Sequence, residues 1–307
     1  MSDLLDRLKI VRVAAEDDVA VTLTDVAAGA SVAVGDDRIV VRDAVPAGHK
    51  FAVRAIAAGA PVLRYRAPIG FASRDIAIGE HVHSHNVHTA LSGELDYRFD
   101  APATRRLSDA YSTKTFRGYR RADGAVGTRN ELWILPTVGC VGRLGERLAA
   151  ASHARAAGRI DGVHAFNHPF GCSQLGADLD GTAAILAALA QNPNAGGILV
   201  LGLGCESNQL DALLTRIPTA HHDRLIAVRA QTEADEFAAG MAAIDRLIDV
   251  MATDRRTDVP LSALRLGVKC GGSDAMSGLT ANPLIGRMAD AVTQAGGTAI
   301  LTEIPEM

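Results

Sequence analysis

From Glu131 onward the chain repeats one rhythm: a short apolar run, a loop, then a stretch with helical spacing. Leu132-Trp133-Ile134-Leu135 leads into Pro136–Cys140 and a helix through Ala149. Gly162–Phe166 leads into Asn167–Cys172 and an Ala/Leu-rich helix to Ala190. Gly197–Leu201 leads into Gly202–Asn208 and a helix to about Ile217, and Leu225–Val228 precedes the amphipathic run Glu233–Met251. Leu266–Lys269, the loop Cys270–Gly278, a helix starting near Asn282-Pro283 and a strand Thr298–Leu301 follow. Strands and helices alternating at this length specify parallel sheets covered by helices on both faces. An α/β domain is expected over 119–260, and the start of a further one over 261–307.

The N-terminal part has a different period. Lys9–Val13, Val19–Leu23, Arg38–Val41 and Phe51–Val53 alternate like strands, glycines at 29, 35, 48, 59, 70 and 79 punctuate them, and no long helical period intervenes. This predicts a small all-β domain over 1–90. Residues 91–118 mix charges with Ser, Thr and Pro, as in Ala101–Arg106, and are read as a linker. Apolar residues make up 48% of the chain but aromatics only 4%, so the cores must be built from Ala, Val, Leu and Ile.

All four cysteines, Cys140, Cys172, Cys205 and Cys270, fall just after a strand and before a helix. Ligands of open α/β sheets bind outside the carboxyl ends of the strands, and a helix N-terminus favours a thiolate. A shared position of this kind points to a site more readily than to packing. The same loops carry His168, Ser173 and Gln174, then Glu206 and Asn208, then Lys269, Ser273 and Asp274 among glycines able to cradle an anion. Gly202-Leu203-Gly204 is weak evidence for a nucleotide, because no dinucleotide fingerprint follows it.

A second concentration of chemistry is His81-Val82-His83-Ser84-His85-Asn86, with His88 close behind. If extended, the segment points His81, His83 and His85 to one face, a surface suited to metal binding or proton transfer. The alternative is a solvated polar strand end. Lys50, in Gly48-His49-Lys50, could bind a carboxylate or simply face solvent.

The net charge of −4 is mild, and the chain has no Lys/Arg block suited to tracking phosphates, which argues against a nucleic-acid partner. Met1–Leu8 lacks the apolar core of a signal peptide and no later run could cross a bilayer, so a cytoplasmic, soluble protein with reduced cysteines is expected.

Taken together, these motifs resemble the altronate/galactarate dehydratases, a family of sugar-acid hydro-lyases. The matching pieces are Gly48-His49-Lys50, His81–Asn86, Gly118–Asn130, His168–Gln174, Gly204-Cys205-Glu206, and Cys270–Asp274 through Ser277-Gly278 to Asn282-Pro283. The run Asn130–Cys140 is closer to the altronate branch. The resemblance implies a β-clip (SAF-type) domain, a linker, and an α/β body whose C-terminal part is Rossmann-like. It also implies a divalent metal, typically iron with manganese as the alternative, and a homodimer. Family members run beyond the equivalent of Met307, so the chain is read as a fragment or a natural truncation.

The implied reaction removes the proton at C2 of a sugar acid such as D-altronate and expels the C3 hydroxyl, giving a 2-keto-3-deoxy acid. It needs a base, an acid and strong stabilisation of an enediolate. By residue chemistry, His83 and His85 are candidate metal ligands or the acid/base pair. His168 is a further catalytic candidate, and Cys172, Cys205, Glu206 and Cys270 are further metal ligands. Lys50, Arg129 and Lys269 could hold the carboxylate, with Lys269 also a catalytic candidate; Asn86, Ser273 and Asp274 could bind the rest of the substrate. Arg129 could equally pair with a neighbour such as Asp123. An iron–sulfur cluster ranks behind a single ion, because no CxxC spacing occurs. Rival functions are galactarate dehydration, elimination of another group from a related hydroxy acid, and non-catalytic sugar-acid binding. A nicotinamide-dependent dehydrogenase lacks its glycine fingerprint.

Overall fold

The computed structural model describes residues 10–89, 111–269, 277–278 and 280–302. They divide into two compact units: 10–89 with 267–290 and 300–302, and 111–266 with 291–299. The expectations for Cys270, Ser273 and Asp274 lie outside the described residues.

The N-terminal unit is all-β, as its alternation predicts. Strands β1 (Ile10–Val11), β2 (Val19–Thr22), β5 (Lys50–Ala52) and β8 (His81–Val82) form an antiparallel sheet in the order β1-β2-β5-β8. A hairpin of β3 (Ser31–Val34) and β4 (Asp37–Val40) and a sheet of β6 (Pro61–Arg64), β7 (Ala67–Ala72) and β9 (Val87–His88) complete it. The period of two lets the central strands feed two cores at once. Ala20 and Phe51 join Val26, Val41 and Val45 in one, while Val19 and Ala52 join Ile56, Ile76 and Val82 in the other. One turn recurs through the unit: the N–H of Gly29, Gly48, Gly59 and Gly79 donates to Val41, Thr22, Ala72 and Ala52 in turn, each glycine at positive φ. At Gly79 a Cβ would also lie 2.1 Å from the Val40 carbonyl oxygen, so only glycine fits.

The body is a four-stranded parallel sheet of β12 (Glu131–Pro136), β13 (Gly162–Ala165), β14 (Ala195–Gly202) and β15 (Leu225–Arg229) in the order β13-β12-β14-β15. Helices α1 (Gly142–Ala156) and α4 (Glu236–Met251) cover one face, burying Leu132, Ile134, Leu199 and Leu201; α2 (Gly176–Leu189) and α3 (Leu210–Thr215) cover the other, burying Trp133, Leu135, Ile198 and Val200. Helix α4 starts three residues later than the periodicity suggests, because the Asp235 carboxylate accepts from the Ala238 N–H as an N-cap. The order is that of a doubly wound sheet with its switch point between β12 and β14; sheets of this kind bind ligands outside the carboxyl ends of the strands at that point.

One feature departs from the expected plan. Strand β10 (Thr115–Arg120) begins inside the segment read as linker, and it pairs with β11 (Val126–Gly127) and β16 (Thr257–Pro260) in a small antiparallel sheet. The pairing joins Thr115 to Pro260, a separation that no local pattern reveals. Near the C-terminus, β17 (Arg265–Val268), α5 (Ala281–Gln294) and β18 (Thr298–Leu301) make a strand–helix–strand piece. The bonds Thr298 N–H to Leu264 O and Thr302 N–H to Val268 O advance together, as in a parallel pair. Among the described residues, no helix is long and apolar enough to cross a membrane.

Candidate active site

Chemistry-bearing side chains concentrate in two places. In the β unit, the histidine run is not an extended face. Strand β8 ends at Val82, and His83 to Asn86 turn back on themselves, the Asn86 and Val87 N–H groups both donating to the His83 carbonyl. The turn still gathers the imidazoles. The His81 ring centre lies 5.6 Å from that of His83 and 5.5 Å from that of His85. His49 completes the group: its Nδ1 is 3.0 Å from His81 Nε2, so one ring donates and the other accepts, and it stacks on His83 at 5.1 Å. His49 was not among the residues the sequence singled out for a role; its signal was the Gly48-His49-Lys50 motif one strand away.

The cluster's electrostatics favour neutral rings. His81 is held below the usual imidazole range by partial burial and by the proximity of His49, His85 and His83, against the pull of Asp43. His83 is lowered by desolvation and by His49, Lys50 and His85. Lys50, half-buried on β5, is lowered by burial and by Arg64. Asn86 is fully buried; its Oδ1 accepts from the His83 N–H and its Nδ2 donates to the His81 carbonyl. Asn86, expected as a substrate contact, staples the turn that presents the histidines.

These shifts fix a pH dependence. A histidine whose pKa falls on folding binds its proton less tightly in the native state, so its contribution to stability is present above about pH 6.5 and lost as pH falls through the folded value. In an NMR titration, His81 and His83 are expected to titrate below free histidine, and His49→Gln to move both upward. Unchanged midpoints in that variant would contradict the geometry.

In the body, three loops meet at the carboxyl ends of β12, β13 and β14. The Gly139 N–H donates to the Phe170 carbonyl, the Asn208 N–H to Gly171, and Asn208 Nδ2 to Thr137. Glu206 is buried; Oε1 accepts from Thr137 Oγ1 at 2.7 Å and from the Leu203 N–H at 3.2 Å, and Oε2 from the Gly204 N–H. Burial alone would raise its pKa, but these donors outweigh it and hold the carboxyl below the usual range. His168 is engaged at both nitrogens: Nε2 lies 2.8 Å from the Pro136 carbonyl, to which it donates, and Nδ1 accepts from the Phe170 N–H. Glu206 and His168, expected as a metal ligand and a catalytic group, brace the loops in this structure. Cys140, Cys172 and Cys205 are exposed free thiols on those loops. Gln231 Nε2 donates to Cys205 Sγ at 3.5 Å.

Arg129 is placed elsewhere. It precedes β12, at the amino end of the sheet, and its Nε bonds Glu131 at 3.0 Å. Asp123, the neighbour considered for it, lies 3.6 Å from His221 instead. A six-residue strand separates Arg129 from the thiol loops, about 20 Å, and in this structure Arg129 makes the ion pair with Glu131. Lys269 lies at the end of the described stretch that follows β17. Among the described residues, no three His, Cys, Asp or Glu side chains are gathered closely enough to hold one metal ion. The single-ion site that the resemblance implies therefore does not fit the described donors.

The comparisons with known proteins follow the same division of the chain. Residues 8–90 match the altronate/galactarate dehydratase SAF domain, 118–252 the second domain of D-galactarate dehydratase/altronate hydrolase, and 261–307 the C-terminal domain of D-galactarate/altronate dehydratase. The altronate dehydratase of Escherichia coli (strain K12) is 44% identical over 302 residues, covering 98% of this chain and 61% of its own length. That of Bacillus subtilis (strain 168) is 41% identical over 302 residues, covering 97% and 60%. The galactarate dehydratase (L-threo-forming) of Escherichia coli is 30% identical over 277 residues, covering 86% and 53%. The chain spans about three-fifths of the length of the altronate dehydratases it matches. An N-terminal SAF domain is followed by mixed α/β structure with a parallel sheet. With one family's models matched in succession along its length, the chain belongs to the altronate/galactarate dehydratase family.

Proposed function

We propose that the protein is a hydro-lyase that dehydrates a sugar acid, D-altronate to 2-keto-3-deoxy-D-gluconate. The observation that carries this reading is the identity of 44% and 41% to two altronate dehydratases along nearly the whole chain, against 30% to a galactarate dehydratase. In this reading the SAF domain supplies proton transfer. His83, exposed and with its pKa lowered by desolvation and by His49, Lys50 and His85, suits a base for the C2 proton, and His85 beside it suits the acid for the departing C3 hydroxyl. The hydrogen-bonded His49–His81 pair can pass a proton behind them. Lys50, near His83, suits the substrate carboxylate. Lys269, Ser273 and Asp274 remain the proposed contacts from the C-terminal part, whose strand–helix–strand start opens a Rossmann-like domain in this reading.

Iron, with manganese as the alternative, is the proposed metal, with ligands drawn in part from outside the described residues. Homodimerisation, a cytoplasmic setting and the domain plan of 1–90, 119–260 and 261–307 joined by a linker belong to the same proposal.

The test is an anaerobic assay with Fe(II) under reducing conditions, offering altronate, galactarate and epimeric sugar acids. Formation of a 2-keto-3-deoxy acid from altronate, reduced at least tenfold in His83→Gln and His85→Gln, is expected. Turnover of galactarate in place of altronate would move the substrate. Binding of these acids without turnover of any would favour a sugar-acid-binding protein.

A further inference from the structure

We propose that a cavity in the first unit, between the Tyr65-Arg66 turn and the first turn of α5, binds a sugar acid. None of its wall residues belongs to the histidine group, and its volume of about 490 Å³ is in the range of small-molecule sites. Tyr65 and Arg66 are the two central residues of the β6–β7 hairpin, which pairs Arg64 with Ala67. Both have positive φ, 59° and 64°. A two-residue turn of this kind favours Asn-Gly, because larger side chains are crowded at positive φ. Tyr-Arg is therefore a costly way to close the hairpin, and such strain collects where side chains serve a ligand. Here both side chains line the same cavity. A second, independent observation is the Tyr65 hydroxyl, which is buried and has no hydrogen-bond partner among the described residues. Buried hydroxyls are normally bonded, so this one is short of a partner. Its oxygen lies against Gly278, another wall of the cavity, where a Cβ would sit 2.6 Å from it.

The walls specify the ligand's chemistry. Arg66 is the charged residue among them, and no acidic side chain of the described residues lines the cavity. Arg66 pairs with Glu16 at 3.5 Å, but the two side chains are 74% and 61% exposed, so the pair contributes little and yields to a ligand. A guanidinium binds a carboxylate through two parallel hydrogen bonds. The start of α5 adds the positive end of a helix dipole. The Tyr65 hydroxyl and the Asn282 amide each donate and accept, as the hydroxyls of a polyol do. Val13, Ala14 and Pro283 supply apolar wall for the C–H faces between those hydroxyls. The Arg64 guanidinium lies over the Tyr65 ring, 4.5 Å from its centre, and steadies it. One cation with hydroxyl-binding groups beside it matches a carboxylate that carries hydroxyls on the adjoining carbons. Only the choice of altronate as that acid rests on the dehydratase reading.

The test is calorimetric titration of the full chain with D-altronate, with glucose as the uncharged control. It is made in Lys50→Ala, which removes the carboxylate contact proposed beside the catalytic histidines. One equivalent of altronate and no glucose are expected to bind. Adding Tyr65→Phe, which removes only the hydroxyl, or Arg66→Gly is expected to weaken altronate binding at least tenfold. Glycine also relieves the positive φ at position 66, so Arg66→Gly should unfold in urea no earlier than its parent while losing the acid. That combination separates a binding role from a structural one. No altronate bound in Lys50→Ala, equal binding of glucose, or unchanged affinity in both cavity variants would overturn the proposal. Turnover of altronate by the wild type together with any of those results would overturn the cavity and keep the dehydratase. The expected binding pattern in a protein that turns over no sugar acid would do the reverse.

Discussion

Replacing Asp254 with alanine is expected to destabilise the body by about 3 kcal/mol. Asp254 is one carboxylate serving two cations. It accepts from Arg224 through both oxygens at 2.7 Å and from Arg121 at 3.2 Å. Arg121 is nearly buried, its side chain 9% exposed, and its other donors reach Pro193 O, Asn130 Oδ1 and Arg129 O. Burial disfavours its charge, and Asp254 is the main influence opposing that. Without the carboxylate, two guanidinium groups face each other around a cavity of about 150 Å³ at the amino ends of the strands. Asp254→Asn keeps an acceptor but no charge and should lose less. Trp133, the chain's single tryptophan, is buried in the body, so its fluorescence during urea unfolding reports this unit. An alanine variant with an unchanged midpoint would mean that the network contributes nothing.

Glu206→Ala is the second large expected effect, a loss of about 3 kcal/mol. The buried carboxylate accepts from Thr137, Leu203 and Gly204, so it ties the loop after β14 to the loop after β12. Alanine strands these donors, each at about 1–3 kcal/mol when buried. Glu206→Gln keeps the volume but turns an amide N–H₂ toward one of the donors, so it should recover little. The pH dependence is distinctive. The folded-state pKa is depressed, so the stabilisation is present above the unfolded value, about pH 4.3, and disappears as pH falls through the folded value. Wild-type protein should therefore lose stability over that acidic window more steeply than Glu206→Gln. Parallel profiles would show that the carboxylate is not the anchor.

The alternation of apolar runs and helical spacing made the parallel body readable because each element carries its own period. The junction positions of Cys140, Cys172 and Cys205 were readable for a related reason: their position relative to strand and helix is local. The three-stranded sheet of β10, β11 and β16 was not, since it joins residues far apart in sequence. What Asn86, His168 and Glu206 do for their loops was not legible, on a common ground. A polar residue in a site-like loop reads the same whether it faces a ligand or the backbone of the next loop. Only the structure shows that their atoms are already bonded. In the histidine run a turn, not an extended strand, brings the rings together, and it recruits His49 from the neighbouring strand.

The most direct measurement is the fate of altronate in deuterated water, with iron-loaded protein under anaerobic, reducing conditions and the product read by NMR. Proton removal at C2 and loss of the C3 hydroxyl give an enol, and its collapse takes one proton from solvent at C3. The proposed dehydration therefore predicts a 2-keto-3-deoxy acid carrying a single deuterium at C3, formed without any nicotinamide. Altronate recovered intact from folded, iron-loaded protein, or a keto acid that still bears its C3 hydroxyl, would contradict it.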